Sequence, residues 1–214
     1  ENPMSSDCIL RFVFENTDVR GAIIQLDRTF FELLGRHEYP ALIAQLLGEA
    51  LAASCLMTTS MKFEGLLSLQ ARGDGLLRML QAECTENFKV RGIARYDAGI
   101  DAADSLRDVL GEGVMALTLE PSNGTRYQGI VPLMGETLAQ CLAAYFEQSE
   151  QLATRFWLFA QGERCAGLML QQLPEQLVTD VDQRCEQWQH LLYLASTITP
   201  LELLSLPMET VLHR

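Results

Sequence analysis

Six cysteines are the residues of this chain best suited to chemistry: Cys8, Cys55, Cys84, Cys141, Cys165 and Cys185. Thiolates bind zinc, attack electrophiles and exchange disulfides. Successive gaps of 47, 29, 57, 24 and 20 residues leave no C-x-C or C-x-x-C pair. Zinc sites usually draw their ligands in such close pairs, so no metal is expected. Most of these cysteines sit among apolar neighbours, where a free thiol behaves as a small hydrophobe. The three histidines, His37, His190 and His213, form no H-E-x-x-H motif; "HEYP" at 37–40 lacks the second histidine. Neither a nucleophile elbow nor a phosphate-binding glycine loop occurs, and "GEG" at 111–113 reads as a turn. No catalytic residue is assigned. One enzymatic alternative stays open, a thiol-dependent enzyme in which a single exposed, low-pKa cysteine meets a histidine in space.

Composition narrows the partners. The 214 residues are 48% apolar and 21% charged, the profile of a folded protein with a substantial core. With 28 acidic against 16 basic residues the net charge is −12, and no Lys/Arg cluster breaks the excess. Such a chain repels phosphate backbones, so nucleic acid is excluded as a partner. The most apolar stretch, "ALIAQLLGEALAASCLM" at 41–57, carries Gln45 and Glu49 and reads as a buried helix rather than a membrane span. No basic region leads into an apolar one at the start. A soluble, cytoplasmic protein without membrane contact is expected.

These residues must be positioned by an α+β fold. "CILRFVFEN" and "VRGAIIQLD" read as strands joined by the turn residues "NTD", and "RTFFELLGR" as a short helix closing near Gly35. From Pro40, apolar residues at i, i+3, i+4 spacing predict a long helix with one broad buried face. Residues 64–97 predict a three-stranded antiparallel meander turning at Gly73-Asp74-Gly75 and at "CTEN". A short helix at "DSLRDVLGEG", a hairpin about Ser122-Asn123-Gly124, a second amphipathic helix at "ETLAQCLAAYFEQSE" and a last hairpin at "TRFWLFAQGERCAGLMLQQLP" follow. Gly92, Gly129 and Gly167 lie inside strands, where glycine marks a bulge or a close backbone approach. After Pro174 no strand signal remains. Thr199, Pro200 and Glu202 form a capping-box start, and Pro207 suits the first turn of a final helix. The expected organisation is a strand-rich core of antiparallel or mixed sheets with two amphipathic helices at 1–178, then a short helical linker segment at 179–214.

Longer strings resemble one family. "FENTDVRG" at 14–21, "YQGIVPLMGETLAQCLAAYFEQSEQLATR" at 127–155 and "AGLMLQQLP" at 166–174 resemble the 33-kilodalton heat-shock proteins, bacterial redox-regulated chaperones that work without ATP. "GDG" at 73–75, "VRGIAR" at 90–95 and "ELLSLPMETVLHR" at 202–214 fall in the same order. Ala153 stands where that family often has proline, and Leu168 where it often has a second glycine. The resemblance implies a holdase for unfolded or oxidatively damaged client proteins, not an enzyme, and homodimerisation on activation. It also implies a C-terminal zinc domain with paired cysteines acting as a redox switch. None of the six cysteines matches that domain, so the chain is expected to stop before it and to carry no cofactor of its own.

A holdase needs an apolar surface and a means of hiding it. Leu67 and Leu69 share one face of a strand, and Leu77 and Met79 continue that stripe across the Gly73–Gly75 turn, which makes the four candidate client contacts. The plainer reading packs most of that face beneath the long helix. Trp188, Leu191, Leu192 and Leu194 are the second candidate set, too apolar for a free tail and expected to lie on a sheet face that clients occupy when the linker is released.

Overall fold

The fold is described from a computed structural model for residues 7–62, 64–101 and 104–213. Runs of alternating side chains build strands β1 (Cys8–Val13), β2 (Val19–Leu26), β8 (Thr154–Gln161) and β9 (Arg164–Gln172). They pair as one sheet in the order β1-β2-β9-β8, so that strands from the two ends of the chain close together. Strands β3 (Gly65–Gly73), β4 (Leu77–Thr85), β5 (Val90–Tyr96), β6 (Gly113–Pro121) and β7 (Tyr127–Pro132) form a second sheet, ordered β5-β4-β3-β6-β7. Every pairing is antiparallel, and the expected α+β class holds.

Seven helices accompany the strands among the described residues: α1 (Arg28–Leu34), α2 (Ala41–Ser60), α3 (Leu106–Leu110), α4 (Leu138–Tyr145), α5 (Val181–Ser196), α6 (Pro200–Ser205) and α7 (Met208–Leu212). Helix α2 lies between the two sheets, touching β3, β4 and β5 on one side and β2, β8 and β9 on the other. Spacing predicts one buried face for it, but fourteen of its twenty residues are buried, on all sides. Small residues make that possible. A Cβ at Gly48 would stand 2.7 Å from Ala160 and 2.8 Å from Phe30, so the helix backbone approaches the four-stranded sheet closely there. Its buried hydroxyls turn back on the helix, Ser54 donating to the Leu51 carbonyl and Thr58 to that of Ser54, each at 2.8 Å. By length and composition α2 could cross a membrane, yet 78% of its apolar window is buried inside the fold.

Helix α4 joins the same layer through Leu138, Cys141, Leu142 and Tyr145, then widens into a π turn at Phe146–Glu150. Gly129 in β7 shows why a strand glycine is needed: a Cβ there would collide with the Tyr145 hydroxyl. The Thr199–Glu202 capping box forms at the start of α6 as expected. Pro207 differs, standing just before α7 with extended backbone rather than inside its first turn.

Candidate functional site

Both faces of the four-stranded sheet are apolar. Register puts Ala22, Ile24 and Leu26 of β2 on the face toward α2, with Cys165 and Met169 of β9 and Phe156 and Leu158 of β8. The alternate residues Val19, Ile23, Ala166, Leu168 and Leu170 face the other way. An exposed sheet face of that composition would bind other apolar surfaces. Here α5, α6 and α7 cover it with Trp188, Leu191, Ala195, Leu203, Leu204, Met208 and Val211.

The longest helix of the cover grips through few side chains. Of sixteen residues in α5, three are buried: Trp188, Leu191 and Ala195, a narrow stripe at helical spacing. Leu192 is half-buried against the same cluster, while Leu194 is 45% exposed. Beside them an apolar groove of about 120 Å³ opens between sheet and cover, lined by Phe12, Phe14, Leu168, Leu170, Leu191 and Leu194 among others. Thus Trp188, Leu191, Leu192 and Leu194 come together on or beside the covered sheet face.

Polar anchors hold the two ends of the cover. Asp18, in the turn between β1 and β2, is 7% exposed. Its carboxylate accepts N–H bonds from Gln176 at 3.1 Å, Leu177 at 2.9 Å and Val178 at 3.1 Å. Arg184, on the first turns of α5, adds an ion pair to it at 2.7 Å and donates to the Leu173 carbonyl at 2.8 Å. Burial pushes the Asp18 carboxyl up, but the three backbone donors and the Arg184 guanidinium outweigh it and hold the group below its ordinary value. At the far end Gln25 of β2 donates to the carbonyls of Leu203 at 2.8 Å and Leu206 at 2.6 Å, which the end of α6 leaves without helical partners. Sequence reasoning missed these anchors. Asp18 reads as turn chemistry, and nothing in the sequence marks Arg184, 166 positions away, as its partner.

The other four candidates lie elsewhere. Leu67, Leu69 and Leu77 are 0%, 2% and 0% exposed, packed in the core cluster that contains α2. Met79 corrects the expected stripe. A bulge between Leu77 and Met79 shifts the β4–β5 register, and Met79 sits opposite Arg72 on the outer face, 3.3 Å from the Gln70 amide. That outer face is polar, its hollow of about 510 Å³ lined by Ser68, Gln70, Arg72, Gln81 and Glu83 among others.

No nucleophile–base arrangement appears among the described residues. All three histidines are exposed, and no hydrogen bond joins one to a cysteine. Cys55, Cys84, Cys141 and Cys165 are buried; Cys8 and Cys185 are exposed. Burial pushes the Cys141 and Cys165 thiols up, away from the reactive thiolate. Among the described residues no group of three or more His, Cys, Asp or Glu side chains converges on a point where a metal could sit.

Comparison with known proteins adds the family. The sequence profile of the family described as "Hsp33 protein" matches residues 7–214. A 33 kDa chaperonin of Pseudomonas paraeruginosa is 52% identical over 210 residues, covering 98% of this chain and 71% of that protein. One from Pseudomonas fluorescens is 50% identical over 210 residues, covering 98% and 70%. The crystal structure of the 33 kDa chaperonin from Thermotoga maritima, 22% identical, shares the fold with a TM-score of 0.80 over 96% of this chain and 73% of that one.

Proposed function

The chain belongs to the Hsp33 family, and from that premise we propose that it is a holdase, binding unfolded or oxidatively damaged proteins without ATP and preventing their aggregation. The observation that carries this reading is the apolar outer face of the four-stranded sheet beneath a cover that is thinly held. Apolar surface buried under many side chains is core. The same surface under a helix with three buried residues belongs to the low-stability end of a fold, where segments open without global unfolding.

In this reading release of α5–α7 uncovers Ile23, Leu168 and Leu170 for client segments. Trp188, Leu191, Leu192 and Leu194, freed with the cover, supply a second apolar strip. Leu67, Leu69 and Leu77 stay beneath α2 and take no part while the core is closed. Capture of this kind needs no cofactor, no nucleotide and no reacting group, only a change in which apolar surface meets water. The protein acts in the cytoplasm, as a homodimer when active.

Light scattering from a urea-unfolded client diluted into nucleotide-free buffer tests the reading. The expected result is suppression by the wild-type chain and stronger suppression by Arg184→Ala, which loosens the cover without altering an apolar residue. Aggregation unaffected by either protein would overturn it.

A further inference from the structure

Two of the buried cysteines meet in the core. Cys55 projects from α2 and Cys84 from β4, both are fully buried, and their sulfurs stand 3.8 Å apart. They are 29 positions apart in the chain. Nothing in their spacing marks them as partners. The contact crosses the interface between the central helix and the five-stranded sheet, with Leu67, Leu80 and Ala82 in the same cluster.

We propose that Cys55 and Cys84 form an oxidisable dithiol, which a peroxide converts to a disulfide tying α2 to β4 inside the folded core. Closing 3.8 Å to a bond of about 2.05 Å needs less than 2 Å of relative motion. The hydrogen bond shared with Cys55 pulls the Cys84 thiol below its ordinary value despite burial. The same contact, together with burial, pushes Cys55 up. Whichever sulfur attacks first, the product is the same disulfide; one route begins at Cys84.

Its thiolate attacks one oxygen of hydrogen peroxide; the O–O bond breaks and, with a proton, water leaves. Cys84 becomes a sulfenic acid. The Cys55 sulfur then attacks the Cys84 sulfur, the S–O bond breaks, and hydroxide departs and takes up the Cys55 proton as a second water. The two sulfurs together lose two electrons and one peroxide gains them. Because both thiols are buried, oxidation waits on fluctuations that admit the peroxide and runs slower than at the exposed Cys8 and Cys185. The bond would harden the α2 layer and leave the α5–α7 cover, on the far side of the other sheet, free to open. The inference does not depend on the client-binding reading.

The test uses the full chain with Cys8→Ser and Cys185→Ser, which removes the exposed thiols. After hydrogen peroxide treatment in native buffer, remaining thiols are alkylated in denaturant and the protein is digested with trypsin. The expected product joins the peptide 37–62, which carries Cys55, to the peptide 79–89, which carries Cys84, with loss of two hydrogens. Unchanged far-UV circular dichroism and a melting temperature raised by roughly 5–10 °C, reversed by dithiothreitol, should accompany it. Adding Cys84→Ser should leave Cys55 alkylated; if that variant does not fold, the dithiothreitol reversal stands as the control. Recovery of both peptides unlinked, a Cys55–Cys165 bridge instead, or linkage that forms only in urea would each overturn the proposal.

Discussion

Helix α2 and the α5–α7 cover pack on opposite faces of the same four-stranded sheet, and they are held in different ways. Helix α2 is enclosed by two sheets and buries fourteen of twenty residues; α5 has sheet on one side, water on the other, and buries three of sixteen. The sheet is apolar toward both. What separates core from cover is the number of side chains held per residue ordered, since every ordered residue loses conformational entropy whether or not it buries anything. For the cover the shortfall is met by discrete polar anchors, Asp18 at the start of α5 and Gln25 at the end of α6, and such anchors can be undone one at a time.

The largest effect is expected in α2. Leu51→Ala removes a fully buried side chain between two sheets and should cost about 2–5 kcal/mol of global stability, read by urea denaturation. An equal loss from Leu191→Ala in the cover would erase the distinction, because a segment that opens on its own contributes little to the global midpoint.

Asp18→Asn and Arg184→Ala come next. Each should leave the urea midpoint close to wild type while raising client protection and speeding amide exchange in α5. The pH dependence has a definite sign. The folded Asp18 carboxyl lies below its ordinary value of 3.8, so its contribution is present above that pH and is lost as pH falls through the lower folded value. Cover protection should be flat from neutral pH to about pH 5 and decline only below about pH 4, and Asp18→Asn should remove the decline. Replacing Leu191 and Leu192 together by serine separates release from contact. Client protection should fall below that of Arg184→Ala, since the cover is loose in both but the apolar strip survives in one.

Smaller effects should follow at the cover's own ends. Thr199→Ala deletes the side chain that accepts from Glu202 N–H at 3.2 Å and should cost about 0.5–2 kcal/mol, confined to α6 and α7. Leu201→Ser, at a position 70% exposed, should change stability by no more than about 0.5 kcal/mol.

Much of the fold was legible because it rests on local signals. Alternation placed the strands, Gly73-Asp74-Gly75 a hairpin, and Thr199 with Glu202 a helix start, each a matter of a few neighbouring residues. The all-round burial of α2 was not legible, since periodicity reports the apolar face of a helix and cannot say that a second sheet closes over the rest. The misreading of Met79 has the same origin: a single bulge reverses every later side chain in the strand, and nothing in "GLLRML" announces it. The apolar set Trp188, Leu191, Leu192 and Leu194 was visible from composition. Its anchors were not, because Asp18 and Arg184 acquire meaning only when the first turn and the last helices meet.

The most direct measurement is hydrogen exchange by mass spectrometry on the wild-type chain, following peptides from α2 and from α5–α7 in one sample. Amides of α5–α7 should exchange orders of magnitude faster than those of α2, with a rate that responds to Arg184→Ala and rises with urea less steeply than that of α2, because release of the cover exposes less surface than global unfolding. Exchange of both regions at one common rate, set by global unfolding, would show that α5–α7 is core and would contradict a releasable cover.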